Sequence, residues 1–418
     1  MHYSLGALTV MSAVYNPDVN FGENPFLEGL DAEALKMVRA AEAMVPMLAE
    51  RAEEVDRSGH VSSEVFKQLA DAGFIRLLVP KRLGGAQQTL QALMAVGSAL
   101  GRGCGSTAWM TQIVAGSSFL LSLFCERAQR EAWEGNPDAG ACAAQTKPTA
   151  MARVDGGYRI SGRWSYLSGL EHAGWALLGV PDMSSSPPEI LFNMVPVADG
   201  VIEHTWKVAG MRGTASNTLV LEDYFVPDHR VLSLTRAMEG EPATEYRDEL
   251  LSRASFGPAV EVGLLAAPLG LTQAAIEYVL KLAPKRGITY STYPSQSASG
   301  GFQVQVAQAT VKFNAARTLT VQAVREIDAA AAQNRQLSYS DRTRIRAMLG
   351  FISSLLREAM QILIHAHGSS SFAESSPLQR MWRDLNVGAS HGMITDMFGY
   401  ELYGKALVGS NERLAPLV

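Results

Sequence analysis

A chain of 418 residues, 47 % hydrophobic and 18 % charged with a net charge of −5, has the make-up of a globular protein and is long enough for two or three domains. The slight acidity leaves no basic footprint for nucleic acid, and three cysteines without Cys-x-x-Cys spacing argue against a disulfide framework or a zinc cage. The longest apolar run, Val114 to Cys125, is interrupted by Gly116-Ser-Ser118 and falls short of the roughly 20 residues of a spanning helix. No charged-then-apolar leader opens the chain, so a reducing cytoplasm is the expected setting.

In chain order, residues 1–28 are mixed and rich in Asn, Gly and Pro, and read as a tail. From Asp31 the apolar positions Leu35, Val38, Met44, Met47 and Leu48 form a helical stripe, and Ser62-Ser63-Glu64 opens a second helix that stops at Gly73. Two more helices follow, over about 90–100 and 106–124. Between about Gly140 and Leu232 the period changes to two, in Tyr158–Ile160, Trp175–Val180, Ile190–Val195 and Thr218–Leu221, which predicts strands. Ser184–Pro188 reads as a surface loop. Helical periodicity then returns over about 248–283, 302–332, 339–367 and 377–408. The order predicts an α+β, mainly α protein: a helical domain over 29–139, a β-domain over 140–232 and a C-terminal four-helix region over 233–418.

Five segments concentrate chemistry. Gly156-Gly157-Tyr-Arg-Ile-Ser-Gly-Arg-Trp164-Ser-Tyr166-Leu-Ser168-Gly169 is a hairpin by its glycines, yet Trp164, Tyr166 and the following Trp175 crowd one short stretch. Ala141 to Thr149 is a strand running into a loop that carries Gln145 and Thr146. Gly210-Met-Arg212-Gly213-Thr214-Ala-Ser216 is a turn whose Arg212 could pair with Glu222 or Asp223. Lys285-Arg286 ends a helix, where a cation suits the dipole or a phosphate. Last comes Arg383-Asp384-Leu-Asn-Val-Gly-Ala-Ser-His391-Gly392. His365 and His367 lie two apart on a helix and face different ways, which argues against a metal pair. Gly101-Arg-Gly103-Cys-Gly105 and Gly399 to Gly404 imitate nucleotide loops without the required third glycine or the Ser/Thr.

These segments, in this order, resemble the acyl-CoA dehydrogenase superfamily over residues 31–410. There the Arg-Asp signature is followed by a glutamate that removes a substrate proton. That place falls on Gly392 here, with His391 immediately before it, which resembles the two-component flavin-dependent monooxygenase branch. The resemblance implies an acyl-CoA dehydrogenase-like fold, a homotetramer formed through the helical bundle, and a separate NAD(P)H:flavin reductase as partner. It implies FMN as the cofactor, because His365-Ala-His367-Gly-Ser-Ser-Ser371 puts serines at two of the three glycines of the segment that holds an adenosine, with FAD the alternative.

The implied reaction uses reduced flavin and O2 through a C4a-hydroperoxide to hydroxylate an aromatic or phenolic small molecule. His391 would act on the acceptor as base or as proton donor, and Ser168 would hold the flavin N5 proton. Tyr166, Gln145, Thr146, Thr214, Ser216 and Arg286 take flavin-contacting positions; Trp109 and Ser117 take positions in the substrate wall. Arg383 and Asp384 would hold the helix in place. Three other readings stand beside this one: N-oxygenation of an amine or amino sugar, a true dehydrogenase with Glu261 as its base, and a flavin-free scaffold.

Overall fold

In a computed structural model of the chain, residues 24–145, 150–183, 189–410, 412 and 414–415 are described. Most of the tail, Thr146 with its loop, and the Ser184–Pro188 loop lie outside them.

Helix α1 (Ala32–Ser58) starts where the Asp31 carboxylate accepts from Ala34 N at 2.7 Å and stops at Gly59, whose φ of 77° is left-handed. α2 (Ser63–Asp71) is capped by the Ser62 hydroxyl. α3 (Leu90–Gly103) is capped twice: by Thr89, and by Asp328, which accepts from Leu90 N and Gln91 N across 237 residues or more. α4 (Gly105–Ser122) is buried along nearly its whole length. A short charged helix, α5 (Glu126–Trp133), closes this group; with only eight residues, it lacks the length for a clear periodic pattern.

Eight strands follow: β1 (Ala141–Gln145), β2 (Ala150–Val154), β3 (Gly157–Leu167), β4 (Trp175–Asp182), β5 (Glu189–Pro196), β6 (Val201–Glu203), β7 (Asn217–Pro227) and β8 (Val231–Ser233). They form two four-stranded sheets, ordered β1-β4-β5-β8 and β2-β3-β7-β6, with β1 parallel to β4. Trp164 and Leu178 lie in the apolar core of this region, and the Trp164 indole donates to Gly179 O, so that tryptophan is structural. Trp175 is half-buried with the Arg230 guanidinium over its ring. Of the three aromatics expected to crowd together, Tyr166 alone is strongly exposed.

The C-terminal part holds α6 (Leu234–Met238), α7 (Phe256–Gly263), α8 (Ala266–Leu282), α9 (Gly300–Ala332), α10 (Tyr339–His367), α11 (Pro377–Gly388) and α12 (Asp396–Leu407). The stretch expected as one helix over 248–283 is irregular before Phe256 and breaks at Leu264–Leu265. The last expected helix is also two. α11 stops at Gly388, and His391 caps a 3-10 turn (Gly392–Ile394) before α12 begins. Phe256–Lys285 and Tyr339–His367 are long and apolar enough to cross a membrane by length and composition, but 83 % and 61 % of their most apolar windows are buried inside the fold, as in bundle-core helices. α3 packs on α8 and α9 on α10, joining the N- and C-terminal helices into one core.

Candidate active site

Ser168 sits just past β3. The strand is irregular there: its pairing with β7 shifts register between Trp164 and Leu167, and Tyr166 adopts a φ of 65°. A tyrosine in the left-handed region costs on the order of 1–3 kcal/mol, which a fold sustains where the geometry serves a site. The result is a tyrosine 73 % exposed, its ring edge-on to Trp206 at 5.8 Å. Gly169 follows with φ of 75°, and a Cβ there would lie 2.6 Å from Val114 Cγ2, so only glycine lets this loop approach α4. Gly169 N donates to Thr214 O at 2.9 Å, tying the end of β3 to the Arg212–Thr214 turn.

Three hydroxyls meet at that junction. Trp109 Nε1 donates to Ser168 Oγ at 3.2 Å; Ser168 Oγ lies 2.8 Å from Ser216 Oγ; Ser216 Oγ lies 2.7 Å from Thr214 Oγ1; and Thr214 Oγ1 donates to Met211 O at 2.9 Å. All three hydroxyl residues are buried. Met211 and Ala215, on either side of the turn, have φ of 53° and 43°, so the turn is strained at both ends and must be held from outside.

The Arg-Asp pair of α11 holds it. Asp384 accepts from Met211 N at 2.6 Å, and Arg383 donates to Ala209 O and to Asp56, the latter at 2.7 Å. A Cβ on Gly210 would lie 2.3 Å from Arg383 O, so the loop runs flush against α11. Arg212 reaches Asp56 O at 2.7 Å rather than Glu222 or Asp223; Asp223 is taken by Arg159. Burial lifts the Asp384 carboxyl to about 6, opposed by the Met211 hydrogen bond.

His391 faces Trp109 with ring centroids 5.9 Å apart and planes inclined by 51°. Its Nδ1 accepts from Met393 N at 3.2 Å, which puts the proton of a neutral ring on Nε2. Solvent reaches the ring while protein surrounds most of it, and that burial, with the Arg346 cation second, lowers its pKa to about 4. Arg346 ion-pairs with Glu261 and donates to Gly392 O at 2.7 Å, fixing the main chain just after the histidine. Glu261 is 1 % exposed; burial raises its carboxyl above the ordinary value and Arg346 pulls it back.

Trp109 thus connects Ser168 with His391. The remaining sequence candidates lie apart from this group. Ser117 is buried two turns further along α4, outside its hydrogen bonds. Gln145, at the exposed end of β1, lies over Gly179 of β4. Arg286 donates to Ser370 in a second group that includes Gln296 and the buried His367, whose ring is held neutral, its pKa down to about 4 through burial and the nearby Arg286. Arg286 Nε, Gln296 Oε1, His367 Nδ1 and Ser371 Oγ are buried there without hydrogen-bond partners among the described residues. Arg346 and Asp56 escaped the sequence reading. The available signal was Glu261 itself, a lone carboxylate inside the apolar run Phe256–Leu271 that requires a buried cation.

Residues 32–135 match the family model described as acyl-CoA dehydrogenase, N-terminal domain, and residues 262–396 the one described as acyl-CoA dehydrogenase, C-terminal domain. The flavin-dependent monooxygenase oxygenase subunit HsaA of Rhodococcus jostii is 29 % identical over 373 residues, covering 88 % of this chain and 97 % of that protein. The oxygenase component of the FADH2-dependent resorcinol hydroxylase of a Rhizobium species is 29 % identical over 90 % of this chain and 94 % of its own. Among solved structures, XiaF from a Streptomyces species, in complex with FADH2 and glycerol, superposes with a TM-score of 0.85 at 34 % identity, covering 92 % of this chain and 97 % of that one. The chain belongs to the acyl-CoA dehydrogenase family and, within it, to the branch of flavin-dependent monooxygenases.

Proposed function

We propose that the protein is the oxygenase component of a two-component flavin-dependent hydroxylase acting on an aromatic or phenolic small molecule. The observation that carries this reading is the indole of Trp109, which joins the Ser168 hydroxyl of the β-domain to the His391 imidazole of the C-terminal helices. A flavin suits the residues present. The exposed Tyr166 with Trp206 offers aromatic faces for a ring, and the unpartnered polar atoms around Arg286 suit a phosphate or nucleotide portion. The expected cofactor is FMN supplied reduced by a separate NAD(P)H-dependent reductase; relatives named for FADH2 keep reduced FAD beside it.

Reduced flavin supplies two electrons to dioxygen, one oxygen atom entering the substrate and the other leaving as water. The protein's share is placement and proton control. Ser168 would meet the flavin N5, and Trp109, hydrogen-bonded to it, would wall the substrate. His391, neutral at pH 7 with its proton on Nε2, donates a hydrogen bond to the oxygen of a bound phenol or phenolate and so orients the ring carbon to be hydroxylated. Acting as a base would require the other tautomer and loss of the Met393 bond.

A homotetramer is supported by apolar side chains left exposed on the bundle: Val304 and Val311 on α9, Phe351 on α10, Met397 and Tyr400 on α12. A shallow groove lined by Val311, Ala315 and Leu319 runs along the same helix. Three free thiols agree with a reducing cytoplasm. Anaerobic titration with FMNH2 and with FADH2, followed by oxygen and a panel of phenols, tests the whole reading. Tight binding of one reduced flavin and a hydroxylated product are expected; binding of neither flavin would end it.

A further inference from the structure

The hydroxyls at Ser168, Ser216 and Thr214 form a chain with two fixed ends. At one end the Trp109 indole can only donate; at the other the Met211 carbonyl can only accept. Between them are four contacts, at 3.2, 2.8, 2.7 and 2.9 Å, and four protons, one on the indole and one on each hydroxyl. Each contact must use a different proton. The last can use only that of Thr214, so the contact before it uses that of Ser216, and the one before that uses that of Ser168.

We infer that Thr214 and Ser216 are positioning residues that fix the polarity of Ser168, making it an acceptor alone and so selecting the reduced flavin over the oxidised one. The Ser168 proton is committed to Ser216 and one of its lone pairs to Trp109, which leaves a single lone pair. That lone pair can receive an N–H and repels another lone pair. N5 of a reduced flavin carries a hydrogen, whereas N5 of an oxidised flavin presents a lone pair. This inference rests on the flavin reading above, with Ser168 at N5. Thr214 and Ser216 act through Ser168 and need not touch the cofactor, which agrees with their burial at 1 % and 4 % exposure. Met211 O also meets Trp206 Nε1 at 2.9 Å and, at a longer 3.2 Å, Thr214 N, so its two lone pairs go to the two shorter contacts, from Trp206 and the Thr214 hydroxyl.

The measurement is the ratio of dissociation constants for oxidised and reduced flavin, taken anaerobically on the wild type and on Thr214→Val, Thr214→Ser and Ser216→Ala. Valine keeps the shape and removes the hydroxyl that accepts from Ser216; Ser216 is then free to donate to Ser168, whose proton can turn toward an oxidised N5. The ratio is expected to fall by about tenfold in Thr214→Val, the worth of one hydrogen bond, to be restored in Thr214→Ser, and to fall in Ser216→Ala as well. Ratios unchanged in Thr214→Val and Ser216→Ala, with both flavin states still binding, would overturn the inference while leaving the flavin reading intact. A wild type that binds neither state would instead remove the flavin reading.

Discussion

Glu261 is ion-paired with Arg346 and sealed from solvent, and the same guanidinium donates to the carbonyl of Gly392, the residue after His391. A carboxylate bound in this way is poorly placed to remove a substrate proton. The pair instead pins the turn that presents the imidazole.

Glu261→Ala leaves Arg346 as a buried, unpaired cation and is expected to lower the unfolding free energy by about 3–5 kcal/mol. Glu261→Gln keeps the hydrogen bond and is expected to keep most hydroxylation. Denaturant titration and product assays check both. Neither variant nor the wild type is expected to oxidise an acyl-CoA with an electron acceptor; such activity in the wild type, lost in Glu261→Gln, would restore the dehydrogenase reading.

Replacing His391 separates a hydrogen-bond donor from a base. His391→Ala is expected to lower product formation by about a hundredfold or more while oxygen is still consumed and released as hydrogen peroxide. His391→Gln, which retains an N–H donor, should recover part of that loss. Equal loss in both variants would favour a base.

The pH dependence has a definite sign. With its pKa lowered to about 4, His391 stays neutral as pH falls through the ordinary histidine range near 6.5, so kcat/KM should show no limb from it between pH 5 and 8. Arg346→Met removes a facing cation and should move the imidazole titration upward, read by NMR of the ring protons. An unmoved titration would mean that Arg346 does not act on the ring.

Asp384 holds its carboxyl near 6, above the roughly 3.9 of an unfolded chain, so the folded protein takes up that proton first as pH falls. Its contribution to stability is full below the unfolded value and is lost as pH rises through about 6. Asp384→Asn, still able to accept from Met211 N, should therefore lie within about 1 kcal/mol of wild type at pH 7, whereas Asp384→Ala orphans that N–H at a loss of roughly 1–3 kcal/mol. Thermal and urea unfolding across pH 5–8 distinguish the two.

Much of this fold could be read locally. The Ser62 hydroxyl opened a helix and Gly73, with a left-handed φ of 83°, stood just past its end, while alternation located the strands around Tyr158, Trp175, Ile190 and Thr218. The Arg383-Asp384 signature pointed to a holding role, and the contacts to Ala209, Met211 and Asp56 give it one. The break between α11 and α12 was not legible, because Ser390-His391-Gly392 contains no proline and apolar residues continue on both sides. Contacts made across long stretches of sequence were also hidden: Trp109 with Ser168, Glu261 with Arg346, Met211 with Asp384. No local period records a partner 59, 85 or 173 residues away.

Val311, exposed on α9 beside the shallow groove, should lie between copies of the chain. Sedimentation is expected to give a tetramer for the wild type and smaller species for Val311→Lys; a wild-type monomer at micromolar concentration would remove the assembly from the account.

The most direct measurement supplies chemically reduced flavin, ¹⁸O2 and a phenol to wild type and His391→Ala and weighs the product. One ¹⁸O atom in the wild-type product, with little or no product and only peroxide from the variant, is the expected result. Wild-type protein that binds reduced flavin yet incorporates no ¹⁸O into any aromatic acceptor, or a variant that hydroxylates as well as the wild type, would contradict it.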